Sequence, residues 1–291
     1  MAGPLPGASL WVSSSGGGCC CRAWFTAIAS NLPTAPALMG NTVPYLGYPS
    51  GNRPYWCKDL RSLSVYCRGD RANLEELLAP TPFELADDRF VVQIADFGNA
   101  TPGAFYDSGV VIPVRYGDHR GVNYFFEYED QPWSVAFGRE VWGYPKQYAD
   151  IALTDTADAV SGAVHRSGKL VFGISMTPGE GHDNTAWADL SLYPHLQVHA
   201  LPEADGPGFC VFEIVSRDTS KDFVLKHRSF GPAAVELTDA LSVNGVELKV
   251  VEVLGGEFSV GDYACTVENG ISTVIDDLRG NRSRVGAAER P

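Results

Sequence analysis

From Tyr55 onward, apolar and polar residues interleave in short runs that end at glycine, proline, asparagine or aspartate. RFVVQIADF (89–97), GVVIPVRY (109–116), VNYFFEYE (122–129), SVAFGRE (134–140), FCVFEIV (209–215), FVLKHRSF (223–230) and VELKVVEVL (246–254) are rich in β-branched and aromatic residues. Such runs predict strands. VSGAVHRSGKLVFGISM (160–176) predicts a hairpin that turns at Ser167-Gly168. One helix is expected in YCRGDRANLEELLAP (66–80), where Asp70 is an N-cap, Leu74, Leu77 and Leu78 share a face, and Pro80 stops the turn. Many short strands with few helical periods between them predict a mostly β (α+β) fold, an antiparallel sheet closed into a barrel around a pocket with a few short helices.

The domain is expected to span residues 41–280. Residues 1–40 are rich in Gly, Ser, Ala and Pro, and the first acidic residue of the chain is Asp59. With no periodic apolar face to pack, this segment is expected to be a disordered extension, and 281–291 a flexible tail. The 35 acidic residues outnumber the 22 basic ones, for a net charge of −13, and no Lys/Arg cluster offers a footprint for phosphates. Nucleic acid is therefore not an expected partner. Gly, Pro and polar residues interrupt every apolar run, which predicts a soluble, cytoplasmic protein that does not enter a membrane. The seven cysteines include the row Cys19, Cys20, Cys21, followed by Cys57, Cys67, Cys210 and Cys265. An odd number at irregular spacing reads as reduced thiols rather than a disulfide framework, although Cys57 and Cys67 form a conceivable pair. The triple Cys lacks the spacing of a zinc site.

The candidate chemistry centres on GREVWGYPKQY (138–148). Lys146 follows a proline, with Trp142, Tyr144 and Tyr148 within four positions. One reading is a surface lysine whose stem covers apolar area. The other is a nucleophile, which must be neutral to attack a carbonyl. At an ordinary pKa of about 10.4, roughly one lysine in 2,500 is neutral at pH 7. Dry, apolar walls lower that pKa by up to about 3 to 5, enough to make the neutral amine a large fraction. His195 and His199 have an i, i+4 spacing, but YPHLQVHALP (193–202) alternates like a strand and carries no HExxH glutamate, so no metal site is expected there. PGEGHDN (178–184) reads as an exposed loop, a candidate for the mouth of a pocket.

QPWSVAFGREVWGYPKQ resembles the signature of the acetoacetate decarboxylase family, in which a Gly-Arg-Glu step precedes aromatic-proline-lysine. Upstream, FYDSGVVIPV resembles the family's acidic-Ser-Gly segment and following strand. LYPHLQVHALP and FGPAAVELTDALSVNGVELKVVEVLGGEFSVGDY are similar to its later strands. The resemblance spans about residues 55–280. It implies a conical barrel, a homo-oligomer, a small-molecule keto-acid substrate, no cofactor, and Lys146 as a Schiff-base nucleophile. It makes Asp107 an acid-base residue where the family usually has glutamate, and Arg61 the partner of the substrate carboxylate. Gln93, Tyr144, Glu140 and Gln147 are then expected at the substrate. A second family glutamate corresponds to Val91 here, with Gln93 two residues along the same strand face. Gln147 stands where decarboxylating members carry a second lysine, a departure that weakens the substrate assignment. Three readings follow: a β-keto acid decarboxylase, an aldolase-dehydratase or cyclase using the same lysine, and a non-catalytic small-molecule-binding barrel.

Overall fold

The computed structural model describes residues 55–101, 103–179, 181–266 and 269–280. The extension at 1–40, the tail at 281–291 and the triple Cys fall outside them, and the domain is described from Tyr55 onward.

The first strand, β1 (Tyr55–Gly69), is a long one that alternation alone did not reveal. It leads into α1 (Arg71–Leu78), where Asp70 caps the Asn73 amide at 2.9 Å and Leu74, Leu77 and Leu78 are buried as expected. There follow β2 (Glu84–Leu85), β3 (Arg89–Asp96), β4 (Tyr106–Tyr116), β5 (His119–Glu129), α2 (Pro132–Trp142) and β6 (Lys146–Tyr148). Next come β7 (Asp150–Asp155), β8 (Val160–Arg166), β9 (Lys169–Met176), β10 (His195–Pro202), β11 (Phe209–Arg217) and β12 (Val224–Gly231). The chain ends in β13 (Ala233–Leu237), β14 (Ser242–Val243), β15 (Val246–Glu247), β16 (Val250–Cys265) and β17 (Thr273–Asp277). Strands therefore dominate, as the alternation predicts. Among the described residues no helix is long and apolar enough to cross a membrane.

The large sheet runs β12-β16-β1-β3-β4-β5-β10-β11-β17, with β2 paired to β4 and β6 to β5. No described pairing joins β12 to β17, so the hydrogen-bonded circuit of a closed barrel is not completed among the described residues. A second sheet, β13-β9-β8-β7, packs its apolar face on the first. Phe90, Val92 and Ile94 of β3 and Val110 and Ile112 of β4 meet Leu153, Val164, Phe172 and Ile174 in this core. The other face of β3 is also covered: Val91 packs with Tyr66, Val111, Val122 and Trp187. Ser167 and Gly168 take φ of 52° and 75° in the β8–β9 hairpin, the left-handed pair that such a two-residue turn requires. Cys57, Cys67, Cys210 and Cys265 are buried, and Cys57 and Cys67 do not form the conceivable pair.

Two runs depart from their expected state. SVAFGRE lies within α2, not in a strand. Pro132 opens the helix at its first turn, and Ser134, Phe137, Gly138 and Trp142 form a buried face at helical spacing. Gly143 ends it with φ 73°, its amide donating to the Arg139 carbonyl at 3.2 Å and the Tyr144 amide to the Gly138 carbonyl at 3.1 Å. VELKVVEVL is likewise divided between β15 and β16.

Gly143 aims the chain into β6, and a Cβ there would stand 2.6 Å from the His199 Cα and 2.8 Å from the Val198 oxygen. Gly143→Ala should therefore cost more than the about 1–2 kcal/mol of a left-handed alanine alone, read as a lowered urea midpoint.

Candidate active site

The site is assembled by three adjacent strands. β6 pairs in parallel with β5, placing Lys146 opposite Glu127 and Tyr148 opposite Glu129. β4 lies antiparallel on the other side of β5, with Asp107 opposite Glu129. Glu127 and Glu129 are two residues apart, so both face the lysine. A register shift at Phe125 inserts one extra residue into β5, which turns Tyr124 toward the same cavity.

Lys146 is 5% exposed. Its Nζ lies 2.8 Å from Glu127 Oε1 and 3.2 Å from Asp107 Oδ2, and it donates to Glu129 Oε1. The second oxygens of all three carboxyl groups are buried without a hydrogen-bond partner. Burial pulls the lysine pKa downward, yet the three carboxylates together hold it well above the ordinary value. The resting amine is thus an ammonium, contrary to the expectation that burial alone would leave it neutral. Burial also raises the carboxyl groups: Asp107 upward, Glu127 well upward, and Glu129 to about 7, against the opposing pull of Lys146. One ammonium cannot neutralise three carboxylates, so protons are shared within the cluster and it titrates as a unit.

The cluster opens into a cavity of about 100 Å³. Tyr144 forms part of its wall, with Lys146 Nζ 5.3 Å from the ring centroid. Beyond it, the buried Arg217 donates to the Tyr144 hydroxyl at 3.3 Å. That leaves the phenolic proton for His195 Nδ1 at 2.7 Å. Burial and the nearby cations push the His195 pKa down to about 3, so its ring is neutral. Stacked Phe97 and Phe105, with Trp133 edge-on to Phe105, supply apolar wall.

Of the residues singled out in the sequence, Lys146, Asp107, Tyr144, Trp142 and His195 meet here. Arg61 does not line the cavity; its guanidinium is paired with Asp96 and its side chain is 35% exposed. Gln93 stands behind the wall and donates to the Tyr124 hydroxyl. Glu140 is exposed, and its backbone carbonyl accepts from His199 Nε2 at 2.9 Å. His199 does not line the cavity. Gln147 alternates to the opposite face of β6 from Lys146 and is outside the cavity lining. No described residue of the 178–184 loop lines the cavity. Glu127, Glu129 and Arg217 were not anticipated. An E-x-E pair within an aromatic strand is the signal that marks the first two, whereas Arg217 is a single charge at a strand end with no local signature.

Fold and site define a β-rich protein built around an enclosed lysine and carboxyl groups. The family model described as acetoacetate decarboxylase (ADC) matches residues 33–272, and the chain belongs to that family. An acetoacetate decarboxylase of Acidiphilium cryptum is 32% identical over 221 residues, covering 74% of this chain and 87% of its own. The crystal structure of acetoacetate decarboxylase from Legionella pneumophila shares the fold with a TM-score of 0.68 at 20% identity, over 92% of this chain and 99% of that one. So does the enduracididine biosynthesis enzyme MppR, solved with the condensation product of pyruvate and imidazole 4-carboxaldehyde, at a TM-score of 0.64 and 17% identity over 84% of this chain and 99% of that one.

Gly138 of the GRE step has a direct role in this geometry. A Cβ on it would fall 2.3 Å from Lys146 Cδ and 2.4 Å from Cε, so α2 leaves room there for the lysine stem. Gly138→Ala should displace the amine and lower turnover about 100-fold, the scale of a misplacement near 1 Å, while the melting temperature changes little because alanine favours the helix.

His195 gives a pH signature. Its pKa is about 3 folded against 6.5 unfolded, so between those values only the unfolded chain gains a proton and stability falls on acidification. The expected slope from this residue is about 1.4 kcal/mol per pH unit. Glu129 works oppositely between 4.5 and about 7, where the folded chain keeps the proton. His195→Gln should therefore lose less stability than the parent protein on acidification, measured by urea unfolding at a series of pH values.

Proposed function

We propose that this protein is a carbon–carbon lyase that binds a small β-keto acid as an iminium on Lys146 and decarboxylates it. The observation that carries the reading is the buried Lys146 Nζ held within 3.2 Å of three carboxyl groups beside an aromatic-walled cavity. An ammonium must first lose a proton, and Glu127 and Glu129 are suited to take it because burial makes both more basic than ordinary carboxylates. The neutral amine then attacks the ketone carbon. The carbinolamine C–O bond breaks as a carboxyl group protonates the leaving water, giving the iminium. Cleavage of the bond to carboxylate sends its electron pair toward the iminium, releasing carbon dioxide and leaving an enamine. A carboxyl group of the cluster protonates the enamine carbon, and water hydrolyses the product iminium. Asp107, the most exposed of the three at 19%, is placed to exchange protons with the cavity. The same reading carries a cytoplasmic homo-oligomer with a barrel-like sheet, as the family resemblance implies.

A second reading keeps the lysine and lets the enamine attack an aldehyde. It is favoured by the condensation product held in the related fold of MppR. The identity of the trapped and released species separates the two.

Borohydride added with a panel of β-keto and 2-oxo acids should give a covalent adduct that maps to Lys146 and is absent in Lys146→Ala. Carbon dioxide release marks decarboxylation, whereas a two-substrate product without it marks condensation. Glu129→Gln should lower turnover by roughly 100-fold or more. An adduct at another residue, with Lys146→Ala fully active, would overturn the reading, and reversible binding without any adduct would leave a binding protein.

A further inference from the structure

Arg217 is the last residue of β11 and lines the cavity together with Tyr144 and Lys146. Its side chain is buried, with the whole residue 7% exposed. Nε donates to the Gly270 carbonyl at 3.0 Å, one terminal nitrogen to Tyr144 Oη at 3.3 Å, and the other to Cys265 Sγ at 3.2 Å. The guanidinium carbon also lies 3.7 Å from the centre of the Trp142 ring. These contacts orient the group, yet among the described residues no carboxylate forms an ion pair with it. The cavity's three carboxyl groups are all turned onto Lys146. A buried cation without a counter-charge is costly to a fold unless a ligand supplies the charge.

The position suits that ligand. Lys146 and Arg217 line the same cavity, and both lie against Tyr144, 5.3 and 5.9 Å from its ring centroid, so a molecule held in that cavity meets both. A guanidinium offers paired N–H donors that match the two oxygens of a carboxylate. We infer that Arg217 binds the substrate carboxylate and makes this site selective for keto acids over neutral ketones. This inference rests on the Lys146 iminium reading and assigns the anchoring role to Arg217 in place of Arg61. Tyr144, bonded to Arg217 and packed beside Lys146, sets the spacing between the anchored carboxylate and the reacting carbonyl.

Borohydride trapping on the full chain tests this with pyruvate and acetoacetate beside their methyl esters, which keep the ketone and lose the charge. The parent protein should be half-labelled by each acid at a concentration at least about tenfold below that for its ester, the scale of one charge-assisted contact. Arg217→Met should raise the value for the acids to that for the esters and leave the esters unchanged. Arg217→Lys should fall between, since it keeps the charge and loses the fork. Equal labelling by acid and ester in the parent protein would overturn the inference, as would an acid preference that survives Arg217→Met. If Arg217→Met does not fold, the parent comparison and Arg217→Lys decide, and a full acid preference in Arg217→Lys counts against the two-pronged contact. Absence of any adduct with acids and esters alike refutes the iminium reading itself, and the anchor falls with it.

Discussion

The ammonium of Lys146 among Asp107, Glu127 and Glu129 is the interaction on which the rest of the site depends. Burying one cation is tolerable only beside anions, and burying three carboxyl groups is tolerable only with a cation and shared protons. Each group therefore makes the others possible. Three strands must keep their register to hold them, because a one-residue slip of β6 against β5 would place Gln147 opposite Glu127 and turn the lysine to the other face. Gly143 and Pro145 fix how β6 enters this pairing, and Gly138 leaves the space through which the lysine reaches the acids. The GRE-to-PK spacing is thus a packing requirement: the helix supplies a gap at one position and the strand fills it eight residues later.

The same cluster accounts for how a lysine that rests as an ammonium would become the nucleophile of the proposed reaction. A solvated lysine would yield its proton only to a strong base. Here the acceptors are carboxyl groups that burial has made more basic, Glu129 to about 7, so proton transfer exchanges a buried ion pair for a neutral amine and acid. The neighbouring cation expected at position 147 is not needed for this. Residue 147 points away from the cavity, so a lysine there would act at a distance through protein rather than across the pocket.

What the sequence made legible followed from local pattern. Lys146 stood out because proline and aromatics surround it, and the β8–β9 turn because Ser167-Gly168 suits left-handed backbone, whereas Asp107 came from the resemblance of FYDSG to the family's acidic-Ser-Gly segment. The α2 helix was misread because SVAFGRE offers only two turns, in which apolar residues at 135, 136 and 137 fit either period; Pro132 and Gly143 decide in favour of helix. Glu127 and Glu129 were hidden because strict alternation sets them on the opposite face from Tyr124, and only the extra residue at Phe125 brings the three to one cavity. Arg61 was chosen by its place in the chain, but Asp96, directly across the β1–β3 ladder, claims its charge. Arg217 reaches the cavity through the β10–β11 pairing with His195, a long-range contact that no local window contains.

An arginine anchor also constrains the chemistry around it. A guanidinium stabilises a carboxylate more than the neutral carbon dioxide formed from it, so pairing the departing carboxylate with Arg217 would strengthen the ground state more than the transition state. Anchoring and cleavage therefore cooperate when they act on different groups. A keto acid bearing a second carboxylate satisfies both, one group held against Arg217 while the other leaves beside the iminium. A condensation that retains the anchored carboxylate satisfies both as well, with the enamine formed by loss of a proton to Glu127 or Glu129. The carboxyl cluster serves either route, because each requires a buried group that takes a proton near the iminium carbon and returns it. The placement of Arg217 relative to Lys146 thus bears on substrate class more directly than the residue that follows the lysine.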